Sequence, residues 1–271
     1  MIISSLAFAI MSLLVRLAGD LPLFEKVFFR NFIALIMALA LIIRNGDSVW
    51  GQKKNRIFLV LRGLGGLFGV MFYFYSINHM GLSDGTMLNK LSPFFVILFA
   101  AIFLKEKLGR HQIIAISVAF IASLLIIKPH FNMEIIPAAA GFASAIFAGF
   151  AYAMIRLLNV RGEKPATIVF YFSWISFIVT LPIAIMQFVM PTPLEWLYLL
   201  GIGICAGIGQ IFMTESYRYT SAGSIAPYKY MHVLFTAVIG MIFLQEFPDI
   251  WSILGSLIIV AAFVYLYKVE S

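Results

Sequence analysis

Residues 85–107 read GTMLNKLSPFFVILFAAIFLKEK, and residues 225–247 read IAPYKYMHVLFTAVIGMIFLQEF. Each is an apolar run long enough to cross a bilayer, whose hydrocarbon core of roughly 30 Å takes about 20 helical residues. Each holds a lysine and a proline, Lys90 with Pro93 and Lys229 with Pro227, and each closes on Phe-Leu with a glutamate two residues later. At an offset of 140 positions Asn89 aligns with Lys229, Lys90 with Tyr230, Phe103-Leu104 with Phe243-Leu244 and Glu106 with Glu246. The same offset pairs Ser4 with Ser144, Arg16-Leu17 with Arg156-Leu157, Gly63 with Gly203 and Gly69 with Gly209. Matches that recur in order at one offset predict a duplicated unit.

The rest of the chain fits that unit. Of its 271 residues 62% are hydrophobic and 11% charged, against about 45–50% and about 25% in soluble domains. Apolar runs bounded by charges, Gly or Pro predict helices over 2–18, 27–43, 57–77, 85–104, 109–127, 135–155, 166–189, 195–214, 223–244 and 250–267. The first run lacks the basic start and small-residue cleavage site of a signal peptide and is read as a span. Ten spans consume about 200 residues, which leaves no room for a soluble domain. The expected fold is an all-α integral membrane protein of ten transmembrane helices, arranged as two inverted five-helix repeats, residues 1–130 and 131–271. Five is odd, so the second unit must enter the membrane upside down.

Charge placement gives an orientation. The formal charge is +7, from 19 Lys and Arg against 12 Asp and Glu. With the N-terminus inside, twelve cations fall on the cytoplasmic side and only Arg16, Lys26 and Lys128 on the other, so both termini are expected in the cytoplasm of an inner-membrane protein. The basic loop Lys105-Glu106-Lys107 faces an acidic counterpart, Glu246 to Asp249, as inversion requires. Inverted repeats are a recurrent architecture of secondary transporters, in which two opposed halves open a central site to either side in turn.

Four cations remain inside the spans: Arg30, Arg62, Lys90 and Lys229. A central lysine costs roughly 2.5–3.5 kcal/mol on insertion, so Lys90 and Lys229 must face a polar cavity, pair with an acid or snorkel to an interface. Arg30 and Arg62 sit near span ends and either anchor the helices or, for Arg30, offer a planar fork to a carboxylate. The candidate substrate-binding residues are Lys90, Lys229, Tyr228, Asn89, Tyr73, Gln210 and Arg30. Candidate coupling or gating residues are Glu215, His232, Pro93 and Pro227. Pro93 and Pro227 are expected to interrupt the helical hydrogen-bond ladder. Glu215 either pairs with Lys229 or Arg218 or carries a proton, and His232 is the second titratable group. Gly65 with Gly69, and Gly203 with Gly207, offer small-residue faces for close helix packing. Cys205 is the only cysteine, and scattered histidines with no paired carboxylates leave no catalytic or metal constellation. The expectation is therefore no enzyme, no cofactor and no metal.

The strings Phe28-Phe29-Arg30, Arg62-Gly63-Leu64 with Phe68-Gly69, the Pro93 helix ending in Lys105-Glu106, and Lys128-Pro129-His130 make the whole chain resemble the EamA type of the drug/metabolite transporter superfamily. Ala226-Pro227-Tyr228-Lys229-Tyr230, with Glu246-Phe247-Pro248-Asp249 after it, is similar to bacterial S-adenosylmethionine uptake carriers of that superfamily. The resemblance implies a central cavity lined mainly by spans one, three, four, six, eight and nine. The function expected is secondary active transport of a small organic metabolite by alternating access, with S-adenosylmethionine uptake first. Export of amino acids or other amphiphilic metabolites stands second, and a non-transporting structural subunit is the alternative of another class. The partners expected are a small-molecule substrate and the lipid bilayer, with no nucleic acid, in a monomer or homodimer.

Overall fold

A computed structural model of the chain describes residues 1–80, 88–107, 109–127, 135–243, 245 and 250–270. No strand occurs among them. The helices are α1 (Ile2–Leu17), α2 (Leu23–Asn45), α3 (Arg56–Met80), α4 (Ser92–Leu104), α5 (Arg110–Ile127), α6 (Ile135–Val160), α7 (Pro165–Met186), α8 (Pro193–Tyr219), α9 (Ala222–Ile225), α10 (Met231–Phe243) and α11 (Ile250–Glu270). Among the described residues six helical stretches are long and apolar enough to cross a membrane, and four shorter apolar helices accompany them. Large apolar side chains such as Ile43, Ile121, Ile185, Leu197, Ile242 and Leu257 are exposed around the outside. A water-facing surface rarely tolerates such patches, so this is a lipid-facing belt.

Local chemistry accounts for several helix ends. Thr192 and Glu195 form a reciprocal capping box ahead of α8, with Pro193 in the first turn where its missing N–H costs no bond. Gly46 ends α2 in the left-handed conformation at φ 67°, which glycine adopts without strain.

The expected spans four and nine are not continuous helices. Lys90 and Leu91 form a turn ahead of α4, with Leu91 N donating to Leu88 O at 3.1 Å and Phe94 N to Leu91 O at 3.0 Å. Pro93 therefore stands in the first turn of α4 and breaks no internal ladder. In the second half α9 passes into a 3₁₀ turn over Ala226–Tyr230, which contains Pro227 and Lys229, before α10 begins. Both lysines sit on irregular backbone, which at membrane depth is tolerated where it lines a cavity.

The main packed helix pairs are α3 with α6, α1 with α8, α2 with α7 and α8, α3 with α7, α4 with α6, α1 with α10, and α5 with α11. Gly65 and Gly69 bring α3 against α6. A Cβ on Gly69 would lie 3.2 Å from the Ala148 backbone nitrogen. Gly203 and Gly207 seat α8 on Ile33 and Met37 of α2.

Carboxylates tie the connections at the helix ends. Glu163, just before α7, accepts from Gln52 N at 3.1 Å and Asn55 Nδ2 at 3.0 Å, and Glu25, early in α2, accepts from Val189 N at 3.2 Å. After α4, Lys105 turns through φ 56° and places Glu106 on two other helices. Its Oε1 accepts from Arg156 Nε at 2.8 Å, and its Oε2 from Ala222 N at 2.9 Å. Arg156 also donates to Tyr217 O at 2.9 Å. This clasp joins the ends of α4, α6, α8 and α9. Both charges are about four-fifths buried, and removing one partner of a hydrogen-bonded charge pair leaves the other desolvated. Glu106→Gln should lower Tm by about 2–4 °C, read by thermal unfolding in detergent. The counterpart region Glu246–Asp249 and the Lys128-Pro129-His130 string lie outside the described residues.

Candidate functional site

Two connected chambers occupy the middle of the bundle. One, of about 160 Å³, is lined by Arg30, Arg62 and Phe172, and the other, of about 240 Å³, by Lys90, Lys229 and His232. Arg30, Tyr73, Asn89, Tyr152 and Gln210 line both. All four cations that the sequence leaves inside the spans meet here. Among the described residues, no Asp or Glu lines either chamber.

Arg62 departs most from expectation. It lies about 9 Å along α3, more than one and a half turns in, and is 1% exposed, so it does not anchor a helix end. Its Nη2 donates to Gln210 Oε1 at 3.3 Å, and its guanidinium stacks 4.4 Å from the centroid of Phe172. Arg30 approaches the same ring at 5.9 Å. Gly66 makes the placement possible, because a Cβ there would overlap Arg62 Nη1 and come within 2.7 Å of Phe172. Arg62 Nε and Nη1 have no hydrogen-bond partner.

Lys90 Nζ lies 3.4 Å from His232 Nδ1, and His232 Nε2 lies 3.4 Å from Ser12 Oγ, which donates to Phe8 O at 2.9 Å. With Lys90 as donor, Nδ1 accepts and Nε2–H donates onward, a chain with one consistent direction. Tyr230 is fully buried and donates its hydroxyl to Lys90 O at 2.9 Å, fastening the turn in the first half to the turn in the second. Lys229 Nζ sits 3.3 Å above the centroid of Tyr152 and has no hydrogen-bond partner. A desolvated cation–π contact is worth about 2 kcal/mol, well short of compensating a buried ammonium.

Asn89 donates to Ser144 Oγ at 3.1 Å, which orients its amide at the junction of the chambers. Tyr73, Gln210 and Pro93 also line the cavity. Tyr228 instead packs with the buried Ile116, Ala119 and Tyr230 cluster, on the far side of the 3₁₀ turn. Pro227 is buried within that turn. Glu215 stands apart from the cavity. It pairs with Arg218 at 3.3 Å, accepts from the Tyr219 hydroxyl at 2.9 Å, and is a third exposed. It makes no contact with Lys229, because α8 turns it outward while Gln210 and Thr214 face inward. Glu215→Gln should leave transport and its pH dependence unchanged in a proteoliposome flux assay.

The sequence reading passed over Tyr152 and Phe172. Tyr152 follows a run of small residues in α6, and nothing local distinguishes it from the lipid-facing aromatics. For Arg62 there was a signal in Gly66, one turn later, which leaves room for the side chain to fold inward.

The model of the EamA-like transporter family matches residues 1–128 and 135–268. The chain belongs to the EamA-like transporter family. It is 35% identical over 99% of its length to the pseudopaline exporter CntI of Pseudomonas aeruginosa, covering 95% of that protein. It is 27% identical over 91% of its length to the S-adenosylmethionine uptake transporter of Rickettsia prowazekii, covering 83% of it. A solved crystal structure shares the fold at a TM-score of 0.87 and 17% identity, over 99% of this chain and 96% of that one. The protein is thus a membrane-embedded, multi-pass member of a transporter family, and its cavity is the place to look for a solute.

Proposed function

We propose that this EamA-like protein is a secondary transporter of a small organic metabolite bearing carboxylate, working by alternating access in the bacterial inner membrane with both termini in the cytoplasm. The observation that carries the reading is the convergence of Arg30, Arg62, Lys90 and Lys229 on one cavity with no acid among its described lining residues. Burying cations without partners costs several kcal/mol each, and a carboxylate entering with the solute offsets that cost while gaining charge-assisted hydrogen bonds.

The ten-span plan of two inverted halves, 1–130 and 131–271, is part of the proposal. Packing supports it: exchanging the halves turns α3 with α6 into α8 with α1, α2 with α8 into α7 with α3, and α4 with α6 into α10 with α1. The remaining main pairs, α2 with α7 and α5 with α11, map onto themselves. The ties of Glu25 and Glu163 are related in the same way.

Uptake of S-adenosylmethionine is the second reading, favoured by the faces of Tyr73, Tyr152 and Phe172 for a purine. Its sulfonium and α-ammonium, however, would bring two more cations against its single carboxylate into a cavity that lacks an acid among its described lining. Relatives named as an exporter and as an uptake carrier leave both directions open to the same fold. Counterflow in proteoliposomes decides between the two readings. Labelled organic acids without a cationic group should exchange in preference to S-adenosylmethionine, and exchange of S-adenosylmethionine alone would narrow the first reading to the second. A reporter fused after Ser271 should be active only on the cytoplasmic side.

A further inference from the structure

We infer that the cavity takes a solute with two acid groups, one bound at the Arg62 chamber and one at the Lys90–Lys229 chamber, with a neutral segment between them. This rests on the carboxylate reading above and adds how many acids the solute carries and where each binds.

The cations are not pooled in one place. Arg62 belongs to the smaller chamber alone, and Lys90 and Lys229 to the larger alone. Between them lie Tyr73, Asn89, Tyr152 and Gln210, uncharged side chains common to both chambers, together with Arg30. Each pole keeps open valences. Arg62 has Nε and Nη1 unpartnered; each forms a bidentate edge of the guanidinium together with Nη2, which gives one hydrogen to Gln210 and keeps a second for a carboxylate on the other edge. Lys229 Nζ, unpartnered over Tyr152, can give up a ring contact for a carboxylate. A single carboxylate at either pole would leave the other pole's cations buried without an anion, in a low-dielectric site where that is most costly. Two separated acids satisfy both poles, and the tyrosines and amides suit an uncharged middle that accepts and donates hydrogen bonds.

Calorimetric titration of the purified protein in lipid nanodiscs tests this, with glutarate, adipate and suberate set against hexanoate. At least one diacid should bind about tenfold or more tightly than hexanoate, the usual worth of one further charge-assisted hydrogen bond. Arg62→Met and Lys229→Met should each abolish that advantage, whereas Arg62→Lys and Lys229→Arg, which keep the charges, should retain part of it. Equal affinity of all three diacids and hexanoate, or an advantage that survives either methionine variant, overturns the two-pole arrangement and leaves the carboxylate reading standing. If none of the four acids binds, the two-pole arrangement falls, and if S-adenosylmethionine, which carries a carboxylate of its own, fails to bind as well, the carboxylate reading falls with it.

Discussion

Arg62→Met should abolish solute counterflow while leaving Tm unchanged or raising it. Arg62 is 1% exposed, and its internal support consists of one 3.3 Å bond to Gln210 and a stack on Phe172. One hydrogen bond to a charged group contributes about 1.5–3 kcal/mol, and the desolvated stack about 2 kcal/mol. Against these stands a desolvation penalty of several kcal/mol for the ion, with two nitrogens left unpartnered. Methionine reaches as far as Nε, fills irregular space and carries no charge, so it removes the penalty along with the support and leaves the guanidinium's volume to the chamber. A structural arginine behaves in the opposite way, because its loss destabilises the fold. Measuring flux and Tm on the same preparation separates the two cases: a fall in Tm with flux preserved would return Arg62 to a packing role.

Gly149→Val should abolish recovery of folded protein. In α6, a Cβ at this position would overlap the Phe95 Cβ and stand 2.9 Å from the Phe95 carbonyl carbon and 3.0 Å from Val96 N. Backbone atoms of α4 cannot rotate away as a side-chain tip can, so the two helices must separate. Overpacking usually costs 1–3 kcal/mol, and valine adds two further methyl groups to the clash. Since α4 follows the Lys90 turn directly, any separation also displaces one pole of the cavity. Gly149→Ala should give a smaller effect, a monodisperse peak with lowered Tm. Fluorescence-detected size exclusion and thermal unfolding distinguish these outcomes, and a valine variant with native Tm would refute the close contact.

How much was legible beforehand differs from residue to residue. Lys90 and Lys229 stood out because a cation within an apolar run has few places to go. Arg62 carries the same charge, but its position near the start of the span equally suits a helix anchor. The direction of its side chain is what the sequence leaves open. A hydropathy profile has no angular coordinate relative to neighbours, so it cannot tell an arginine turned toward lipid headgroups from one turned onto Phe172 of α7. Glu215 is the converse case. It directly follows Thr214, which lies four residues after Gln210 on the inward face, but one step along a helix turns about 100°, and that rotation takes it out of the cavity and into the pair with Arg218. The prolines illustrate a third limit, because Pro93 marked the start of α4 rather than a kink within it.

Membrane residence, the positions of the apolar runs and the scarcity of charge within them were all determined along the chain, because the free energy of placing a segment in hydrocarbon is a sum over that segment's own residues. The family, too, was recognisable at that level. The cavity was not. Arg30, Arg62, Lys90 and Lys229 come from four separate stretches, and Tyr152 and Phe172 from two more, so their meeting depends on how α2, α3, α6, α7 and the two broken segments pack. Close packing at Gly65, Gly69, Gly149 and Gly203 sets those distances through contacts between residues far apart in sequence, and a sum over single segments contains no such term.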